Sequence, residues 1–308
     1  MKLIYDNDRE IFNLNTDGIP YLSFKTFDEL GIPNLYSTRY ESFETGSGEG
    51  IKGFRTAVMK TESAEEAGPI VKANRDRLAR QLGSSLEFEC ITDQKHTNYV
   101  YAATEADLGS SLLSGKPLHK QFVDGVVTDV PGMLLTVFGG DCPSVYLADP
   151  VRKAIGLVHA GWKGTFGKIP EVAIANMVVR YGCDPADMYA AIGPGICKDC
   201  YEMGDEIYEQ FASAWGKADA DRILSKYPAK NTDGSDIPGG KYHLDLREAN
   251  RLTLVRAGIP EDHISVSNVC TKCNVDTFYS YRARRMENEQ VAMLVNRFGG
   301  AYEHDSCS

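Results

Sequence analysis

The sequence contains neither a long apolar segment nor a long basic one. No run of about 18 apolar residues occurs among its 308 residues, so no membrane-spanning helix is predicted. The N-terminal stretch MKLIYDNDREIF lacks the basic and then apolar regions of a secretory signal, and we expect a cytoplasmic protein. Acidic residues outnumber basic ones by 43 to 33, a net charge of −10 that argues against a nucleic-acid partner.

No internal repeat or low-complexity tract interrupts the chain, and we predict a single catalytic domain over residues 1–308. The linker-like stretch 228–241 is rich in Pro, Gly, Asp and Asn, which indicates an exposed loop within that domain. Apolar periodicity predicts helices at 64–82, 169–181, 203–216 and 245–257. Short apolar runs predict strands at 35–39, 86–92, 98–103, 188–193, 264–268 and 290–296. Because strands come in a block without regular βαβ alternation, we predict an α+β fold with mixed and antiparallel sheets.

Four more apolar runs follow one another with only turn residues between them, at 124–129, 133–138, 143–149 and 153–159. Gaps this short favour hairpins, so the simplest arrangement is an antiparallel meander. In a meander the end of the fourth strand returns to the edge where the third strand begins. Cys142 precedes the third run and His159 ends the fourth. Because neighbouring strands lie about 4.8 Å apart, we expect these two side chains to meet.

A thiolate beside an imidazole is either half of a metal site or half of a nucleophilic site. A cysteine is also often only a core residue, and a histidine at a strand end is often only a hydrogen-bonded polar group. Both residues here lie beside glycine-rich turns, where functional groups are commonly presented. A catalytic zinc would need a third protein ligand, and His96 is the best candidate because it lies in a turn between two predicted strands.

Eight cysteines without an export signal are expected to be reduced. Two pairs, Cys197 with Cys200 and Cys270 with Cys273, have the spacing of zinc knuckles. The 69 residues between the pairs exceed the usual separation of about 15–20. A second, structural zinc at these four residues is therefore less favoured than reduced buried cysteines or a redox-sensitive cluster.

Several short segments occur in the order and at roughly the spacings of one known family: 94–96, 124–128, 140–143, 159–164, 192–194, 200–202, 270–271 and 280–282. They include the distinctive sequences Asp-Cys-Pro at 141–143 and His-Ala-Gly-Trp at 159–162. Over about residues 35–297 the chain resembles the YfiH-type proteins. That family was first labelled multicopper polyphenol oxidoreductase (laccase) and is now assigned as purine nucleoside phosphorylase with adenosine deaminase activity.

The resemblance implies a four-layered α/β/β/α fold with one catalytic zinc held by His96, Cys142 and His159. It implies phosphorolysis of adenosine, inosine and guanosine, with adenosine deaminase and methylthioadenosine phosphorylase side activities. The family's usual Gln-Val-His-Gly is here Gln-Lys-His-Thr at 94–97, which affects the lining of the turn but keeps the ligand. Cys197 and Cys273 lie outside the family pattern, so the resemblance adds nothing to the interpretation of the cysteine pairs.

This chemistry needs proton transfer and a held phosphate. Asp141, beside Cys142, is the candidate to move protons, although an Asp before a tight turn is as often a capping residue. Arg39 and the backbone of 161–167 are expected to hold phosphate. The candidates for substrate binding are Asn74, Arg75, Gln94, Trp162 and Arg282. Ordinary alternatives are surface ion pairs for the arginines at 75 and 282, and core packing for Trp162 or for Phe138, another candidate to stack on the purine.

Three other functions fit the same residues. A cysteine hydrolase, for example an amidase acting on cell-wall precursors, would use Cys142 as nucleophile and His159 as base. A copper polyphenol oxidase is weaker, because one Cys and two His do not supply several copper centres. A structural zinc would leave no open position and no turnover. We rank the nucleoside phosphorylase first, with purine nucleosides and phosphate as partners and a monomer as the default state.

Overall fold

Two six-stranded sheets form the centre of the fold. The computed structural model describes residues 3–43, 50–58, 63–109, 122–230, 234–283 and 288–298. The strands are β1 Phe12–Asn15, β2 Tyr21–Phe24, β3 Asn34–Ser37, β4 Tyr40–Phe43, β5 Gly50–Lys52, β6 Glu89–Ile91, β7 Val100–Ala102, β8 Gly125–Thr128, β9 Leu134–Gly139, β10 Ser144–Asp149, β11 Ala154–His159, β12 Tyr189–Ile192, β13 Glu202–Met203, β14 Leu224–Tyr227, β15 Lys241–Leu244, β16 Ile264–Val266 and β17 Gln290–Val295. The α-helices are α1 Lys25–Glu29, α2 Ala64–Gln81, α3 Trp162–Phe166, α4 Ile169–Tyr181, α5 Glu206–Trp215, α6 Lys217–Ile223 and α7 Leu246–Arg256.

The sheets combine antiparallel and parallel pairs. The first has the order β1-β2-β3-β17-β9-β6 and is antiparallel except for the pair β6 and β9. The second has the order β16-β12-β10-β11-β8-β7, with antiparallel pairs at its centre and a parallel pair at each edge. A three-stranded sheet, β13-β15-β14, and the β4–β5 hairpin complete the set. The predicted mixture of mixed and antiparallel sheets is confirmed.

Four layers follow from which residues share a core. Side chains of the first sheet, such as Leu135, are buried together with side chains of the second, such as Tyr146. The outer face of the first sheet packs on α2 through Leu78, and the outer face of the second packs on α4 and α7 through Ile174 and Leu254. The order is therefore helix, sheet, sheet, helix, as the family resemblance implies.

The predicted meander is wrong in its second strand. β8, β10 and β11 lie together in the second sheet, but β9 lies in the first sheet between β17 and β6. Short turns fix the distance between consecutive strands but not the sheet that each one joins, and the chain crosses between the sheets around Pro131 and Gly132. The β10–β11 hairpin itself forms, with Ser144 opposite His159. The expected meeting of Cys142 and His159 needs only this hairpin.

Helix ends coincide with residues that favour them. Pro170 lies in the first turn of α4, and Gly182 ends that helix with φ 68°, a left-handed conformation that glycine adopts easily. The Asp245 side chain accepts a hydrogen bond from the Glu248 N–H at the start of α7. α5 begins at Glu206, three residues later than predicted, because Glu202 and Met203 form β13. In the part of the chain that the structure describes, no helix has the length and apolar character needed to cross a membrane.

Candidate metal centre

Three side chains meet where strands β7, β10 and β11 of the second sheet begin or end. His96 lies before β7, Cys142 lies before β10, and His159 ends β11. One ligand atom from each residue lies within 4.8 Å of the other two. His159 is buried, Cys142 is partly buried and His96 is exposed, so the group opens to solvent on the His96 side. The structure thus brings together the three residues that the sequence predicts as ligands.

The carboxylate of Asp124 holds two of these turns in place. It is fully buried and accepts hydrogen bonds from the N–H groups of Lys95 at 3.0 Å, His96 at 2.9 Å and Thr97 at 2.8 Å. These bonds fix His96 at φ 62°, a left-handed conformation that costs energy in a residue other than glycine. Asp124 Oδ1 also lies 2.9 Å from Nδ1 of His159, which leaves Nε2 of that ring for a ligand.

Sequence reasoning places Asp124 in the family pattern but gives it no part in the site. The available signal is a lone acidic residue at the start of the otherwise apolar run Gly125–Thr128. A buried carboxylate of this kind needs several donors. Histidine ligands commonly pair their second nitrogen with such a group.

Charges within the group favour a thiolate. Burial opposes ionisation of Cys142, but His159 and His96 outweigh it and lower the pKa of the thiol to about 7. Burial also opposes protonation of His159, yet Cys142 and Asp124 raise the pKa of its imidazole to about 10. Burial disfavours the charged form of Asp124, but hydrogen bonds from His159 and Thr97 hold its pKa well below the usual range. A bound metal cation would take the place of the proton on His159.

Gly161 leaves the space in which the three side chains meet. A Cβ atom at this position would lie 2.8 Å from Cys142 Sγ and 2.9 Å from His96 Cδ2. The His-Ala-Gly-Trp sequence therefore needs glycine beside the ligands. Trp162 then begins α3 and packs, partly buried, against the cluster that contains Phe211.

Asp141 accepts three hydrogen bonds from the segment 267–283. Its Oδ1 accepts hydrogen bonds from Thr271 Oγ1 at 2.6 Å and Ser280 Oγ at 2.8 Å, and its Oδ2 accepts one from the Arg282 N–H at 2.7 Å. Burial raises the pKa of Asp141, while these donors oppose the shift. The Arg282 side chain donates to the Glu202 carbonyl at 2.7 Å and lies over the Tyr201 ring. The described hydrogen bonds of the Asp141 side chain thus come from residues distant in sequence, not from its own turn.

Gln94 and Arg75, two of the predicted substrate-binding residues, both contact Phe138. Gln94 forms two hydrogen bonds with the backbone of Phe138, at 2.7 and 2.6 Å. Arg75 forms an ion pair with Glu89 that is buried rather than at the surface, and its guanidinium lies 5.8 Å from the centre of the Phe138 ring. Phe138 therefore contacts Gln94 through its backbone and Arg75 through its ring.

Arg39 and Asn74 have their own backbone contacts. Arg39 Nη1 donates to the Val275 carbonyl at 2.9 Å, and its guanidinium lies 5.0 Å from the Tyr279 ring centre. Asn74 Nδ2 donates to the Arg55 carbonyl at 3.0 Å. Both side chains are thus held in fixed positions.

The two CxxC pairs also converge. The sulfur atoms of Cys197, Cys200, Cys270 and Cys273 all lie within 4.8 Å of one another. The fold therefore brings the two pairs together despite the 69 residues between them. It does so because the loop after β12 lies beside the loop after β16.

The donor set at the first group suits zinc. One thiolate and two imidazoles match the borderline softness of Zn²⁺, and three protein ligands leave a position for water or substrate. Residues 54–296 match the family described as multi-copper polyphenol oxidoreductase laccase. The chain belongs to this laccase family.

The chain is similar to two curated relatives and two solved structures. Purine nucleoside phosphorylase YlmD of Geobacillus stearothermophilus is 32% identical over 250 residues, which are 81% of this chain and 86% of the relative. Adenosine deaminase RL5 of an unknown prokaryotic organism is 35% identical over 250 residues, 79% of this chain and 88% of the relative.

The crystal structure of the hypothetical protein YfiH of Bacillus licheniformis matches with a TM-score of 0.76 and 27% identity over 93% of this chain and 99% of that one. The crystal structure of the Geobacillus YlmD matches with a TM-score of 0.72 and 28% identity over 94% and 100%. The YfiH-type resemblance is confirmed. The chain is related to enzymes named purine nucleoside phosphorylase and adenosine deaminase.

Proposed function

We propose that the chain is a zinc-dependent purine nucleoside phosphorylase with adenosine deaminase activity. The observation that carries this proposal is the convergence of His96, Cys142 and His159 within 4.8 Å in a chain whose relatives are named for these reactions. The substrates are adenosine, inosine and guanosine with phosphate, and methylthioadenosine is a further substrate. The zinc ligands are the same three residues.

When bound, zinc lowers the pKa of a coordinated water to about 7 and polarises a coordinated oxygen. The protein residues prepare the site for it. Asp124 orients His159 through Nδ1 and holds the backbone on both sides of His96. The Cys142 thiolate contributes a negative charge, and Gly161 keeps the centre open.

We assign the phosphate and the nucleoside to the binding residues that the sequence analysis identifies. Arg39 presents a planar guanidinium, fixed by Val275 and Tyr279, that suits bidentate contact with phosphate. Asn74, Arg75, Gln94, Trp162 and Arg282 remain the proposed substrate-binding residues. Phosphorolysis passes through a cationic sugar, so holding phosphate beneath the ring supplies much of the rate.

Asp141 remains the proposed proton-transfer residue. Burial raises the pKa of Asp141, so its protonated form can donate a proton to a leaving purine, and its ionised form can accept one from a nucleophile. The three donors around it support a positioning role as well, because they fix the backbone on which Cys142 lies.

The test is product identification by chromatography. Wild-type protein is incubated with adenosine in the presence and in the absence of phosphate, beside Cys142→Ala and the control Cys183→Ala, which alters a buried cysteine of another core cluster. We expect adenine and ribose 1-phosphate only with phosphate, inosine under both conditions, and neither product from Cys142→Ala. Equal product formation by Cys142→Ala and wild type would contradict the proposal.

A cysteine hydrolase is the second candidate. The observation that favours it is the chain of contacts from Cys142 to His159 to Asp124, because a nucleophile, a base and an orienting carboxylate form a catalytic triad. His96 has no role in such a triad, whereas it completes a metal site. If the chain is a cysteine hydrolase, iodoacetamide abolishes its amidase activity and a chelator leaves that activity intact. Loss of phosphorolysis on treatment with a chelator supports the phosphorylase.

The remaining alternatives have less support. Within the described residues two groups of side chains have metal-ligand geometry, and neither resembles the several copper centres that four-electron oxygen reduction requires. A purely structural zinc site has four protein ligands and no open position. His96, Cys142 and His159 supply three ligands, as catalytic zinc sites do. Monomeric state and cytoplasmic location stay predictions.

A further inference from the structure

The four cysteines of the CxxC pairs have the spatial arrangement of a tetrahedral metal site. A zinc ion bound by thiolates at about 2.3 Å separates neighbouring sulfur atoms by about 3.8 Å. Cys200 Sγ and Cys273 Sγ lie 3.6 Å apart, and all four sulfur atoms lie within 4.8 Å of one another. A disulfide would require about 2.05 Å, and the four residues are free cysteines.

The backbone around the sulfur atoms favours metal ligation. The N–H groups of Cys197 and Cys273 point at Cys270 Sγ, at 3.2 and 3.4 Å. Such donors stabilise a thiolate rather than a neutral thiol. Cys200 N–H donates to the Cys197 carbonyl at 3.1 Å, which closes the first pair into a tight turn. Each loop thus presents two sulfur atoms to a common point.

The charges and burial of the cluster also fit a bound cation. Cys270 is fully buried and Cys197 nearly so, while Cys273 is exposed and offers a path for metal entry. Four thiolates around Zn²⁺ carry a net charge of about −2. The first pair encloses Lys198 and Asp199, whose charges cancel, and the second pair encloses Lys272.

The two loops have little regular structure with which to hold each other. Residues 193–201 and 267–283 contain turns, a one-turn 3-10 helix at Lys198–Cys200 and isolated bridges, one of which joins Gly195 to Cys270. Thr271, between the cysteines of the second pair, donates to Asp141. Glu202, two residues after Cys200, accepts from Arg282, whose N–H also contacts Asp141. Both cysteine pairs therefore lie next to the residues that fix Asp141.

We propose that Cys197, Cys200, Cys270 and Cys273 bind a structural zinc ion that joins these two loops and thereby fixes the surroundings of Asp141. The site is separate from the His96, Cys142 and His159 group and does not depend on the proposed reaction. It takes four protein ligands, so it leaves no position for substrate.

The first experiment counts metal in full-length protein purified without a tag. Wild type, the double variant Cys200→Ser with Cys273→Ser, Cys142→Ala and the control Cys183→Ser are compared by mass spectrometry. We expect about two zinc ions per chain in wild type and control, and about one in each of the other two proteins. Equal zinc in wild type and the double variant would overturn the proposal.

The second experiment identifies the ligands without relying on a destabilised variant. Metal-free Cys142→Ala protein is titrated with Co²⁺ alone, and we expect the intense visible absorption of a tetrahedral cobalt thiolate complex, saturating at about one equivalent. Weak absorption, as from oxygen or nitrogen ligands, would contradict four-thiolate binding. Mass spectrometry showing Cys197–Cys200 or Cys270–Cys273 disulfides in freshly isolated protein would establish a redox cluster in its place.

A third measurement tests the structural role. Hydrogen exchange should accelerate by about tenfold in residues 195–203 and 268–283 when the second zinc is removed, because local stability in those loops falls. Exchange in α4, 169–181, serves as the internal reference. Unchanged exchange in both loops after zinc release would contradict a structural role.

Discussion

A single buried carboxylate, that of Asp124, receives the N–H groups of residues 95–97 and contacts Nδ1 of His159. It therefore sets the strained backbone of one proposed ligand and the ring orientation of another. Replacing it affects metal binding without touching a ligand. This residue gives the clearest test at the level of single side chains.

We predict that Asp124→Asn lowers zinc affinity by about 10–100-fold. An Asn side chain has only one acceptor oxygen. Its NH₂ group is a donor and cannot accept hydrogen bonds from the backbone N–H groups that now bond to Asp124. Affinity is measured by competition with a chromophoric chelator. Asp129→Asn, an exposed position just beyond the other end of β8, is the control and should bind zinc as wild type does. Equal affinity of Asp124→Asn and wild type would show that Asp124 does not orient the site.

We predict that Gly161→Ala reduces both zinc content and phosphorolysis by at least about tenfold, because its methyl group would lie 2.8 Å from Cys142 Sγ. Zinc content and kcat/KM are measured on the same preparation. Circular dichroism should show unchanged secondary structure, since Gly161 has an ordinary φ of −64° that alanine adopts. Retained zinc and activity would mean that the ligands are arranged differently from this structure.

The ligands themselves are predictable from sequence, because turn residues and a hairpin bring Cys142 and His159 together. The parts played by Asp124 and Gly161 are not. Asp124 acts over 28 and 35 residues of separation, and the space that Gly161 provides depends on side chains from three turns. Such contacts exist only once the sheets are assembled.

At the level of elements, the loop 267–283 supplies all three donors to Asp141. It connects β16 with the region before β17 and so reaches from the second sheet to the first. Thr271 is fully buried, and its hydroxyl is directed at Asp141 Oδ1. The position of Asp141 therefore depends on the conformation of this loop.

We predict that Thr271→Val lowers kcat while leaving zinc at the His96, Cys142 and His159 site unchanged. The substitution conserves shape but removes one donor from a buried carboxylate, which costs about 1–3 kcal/mol of stability. Steady-state kinetics, zinc content and urea unfolding measure these effects. Thr277→Val is the control, because the described hydrogen bonds of Thr277 use its backbone. Unchanged kcat with reduced stability would restrict Asp141 to a structural role.

Strand and helix assignments from sequence succeed where the signal is local. Pro170 and Gly182 mark the ends of α4 by their backbone preferences, and Asp245 marks the start of α7 by a side-chain hydrogen bond. The choice of sheet for β9 is not local, because its apolar residues are compatible with either sheet. The five-residue helices α1 and α3 are too short to show helical periodicity.

At the level of the whole molecule, the hydrophobic clusters between the two sheets and under their flanking helices contain none of the three ligands. Three of its clusters lie between or outside the six-stranded sheets, and a chain of 308 residues can bury a sufficient core without a metal. The four layers could be expected from the family resemblance but not from the local patterns. Which faces pack together is decided by long-range contacts.

We predict that Cys142→Ala and His159→Ala lose zinc from the catalytic site and lose activity together, while the fold persists. Far-ultraviolet circular dichroism and thermal unfolding are compared with wild type, and a single cooperative transition is expected for each variant. Unfolding of either variant at room temperature would count against a catalytic site and favour a structural one.

The most direct test of the account is metal content measured in the same samples as adenosine phosphorolysis, for wild type and Cys142→Ala, before and after treatment with a tight chelator. The account predicts that Cys142→Ala contains about one zinc less per chain and forms no adenine. It also predicts that chelation abolishes wild-type activity and that added zinc restores it. Wild-type protein that turns over adenosine equally well after complete removal of its metal would contradict a zinc-dependent phosphorylase.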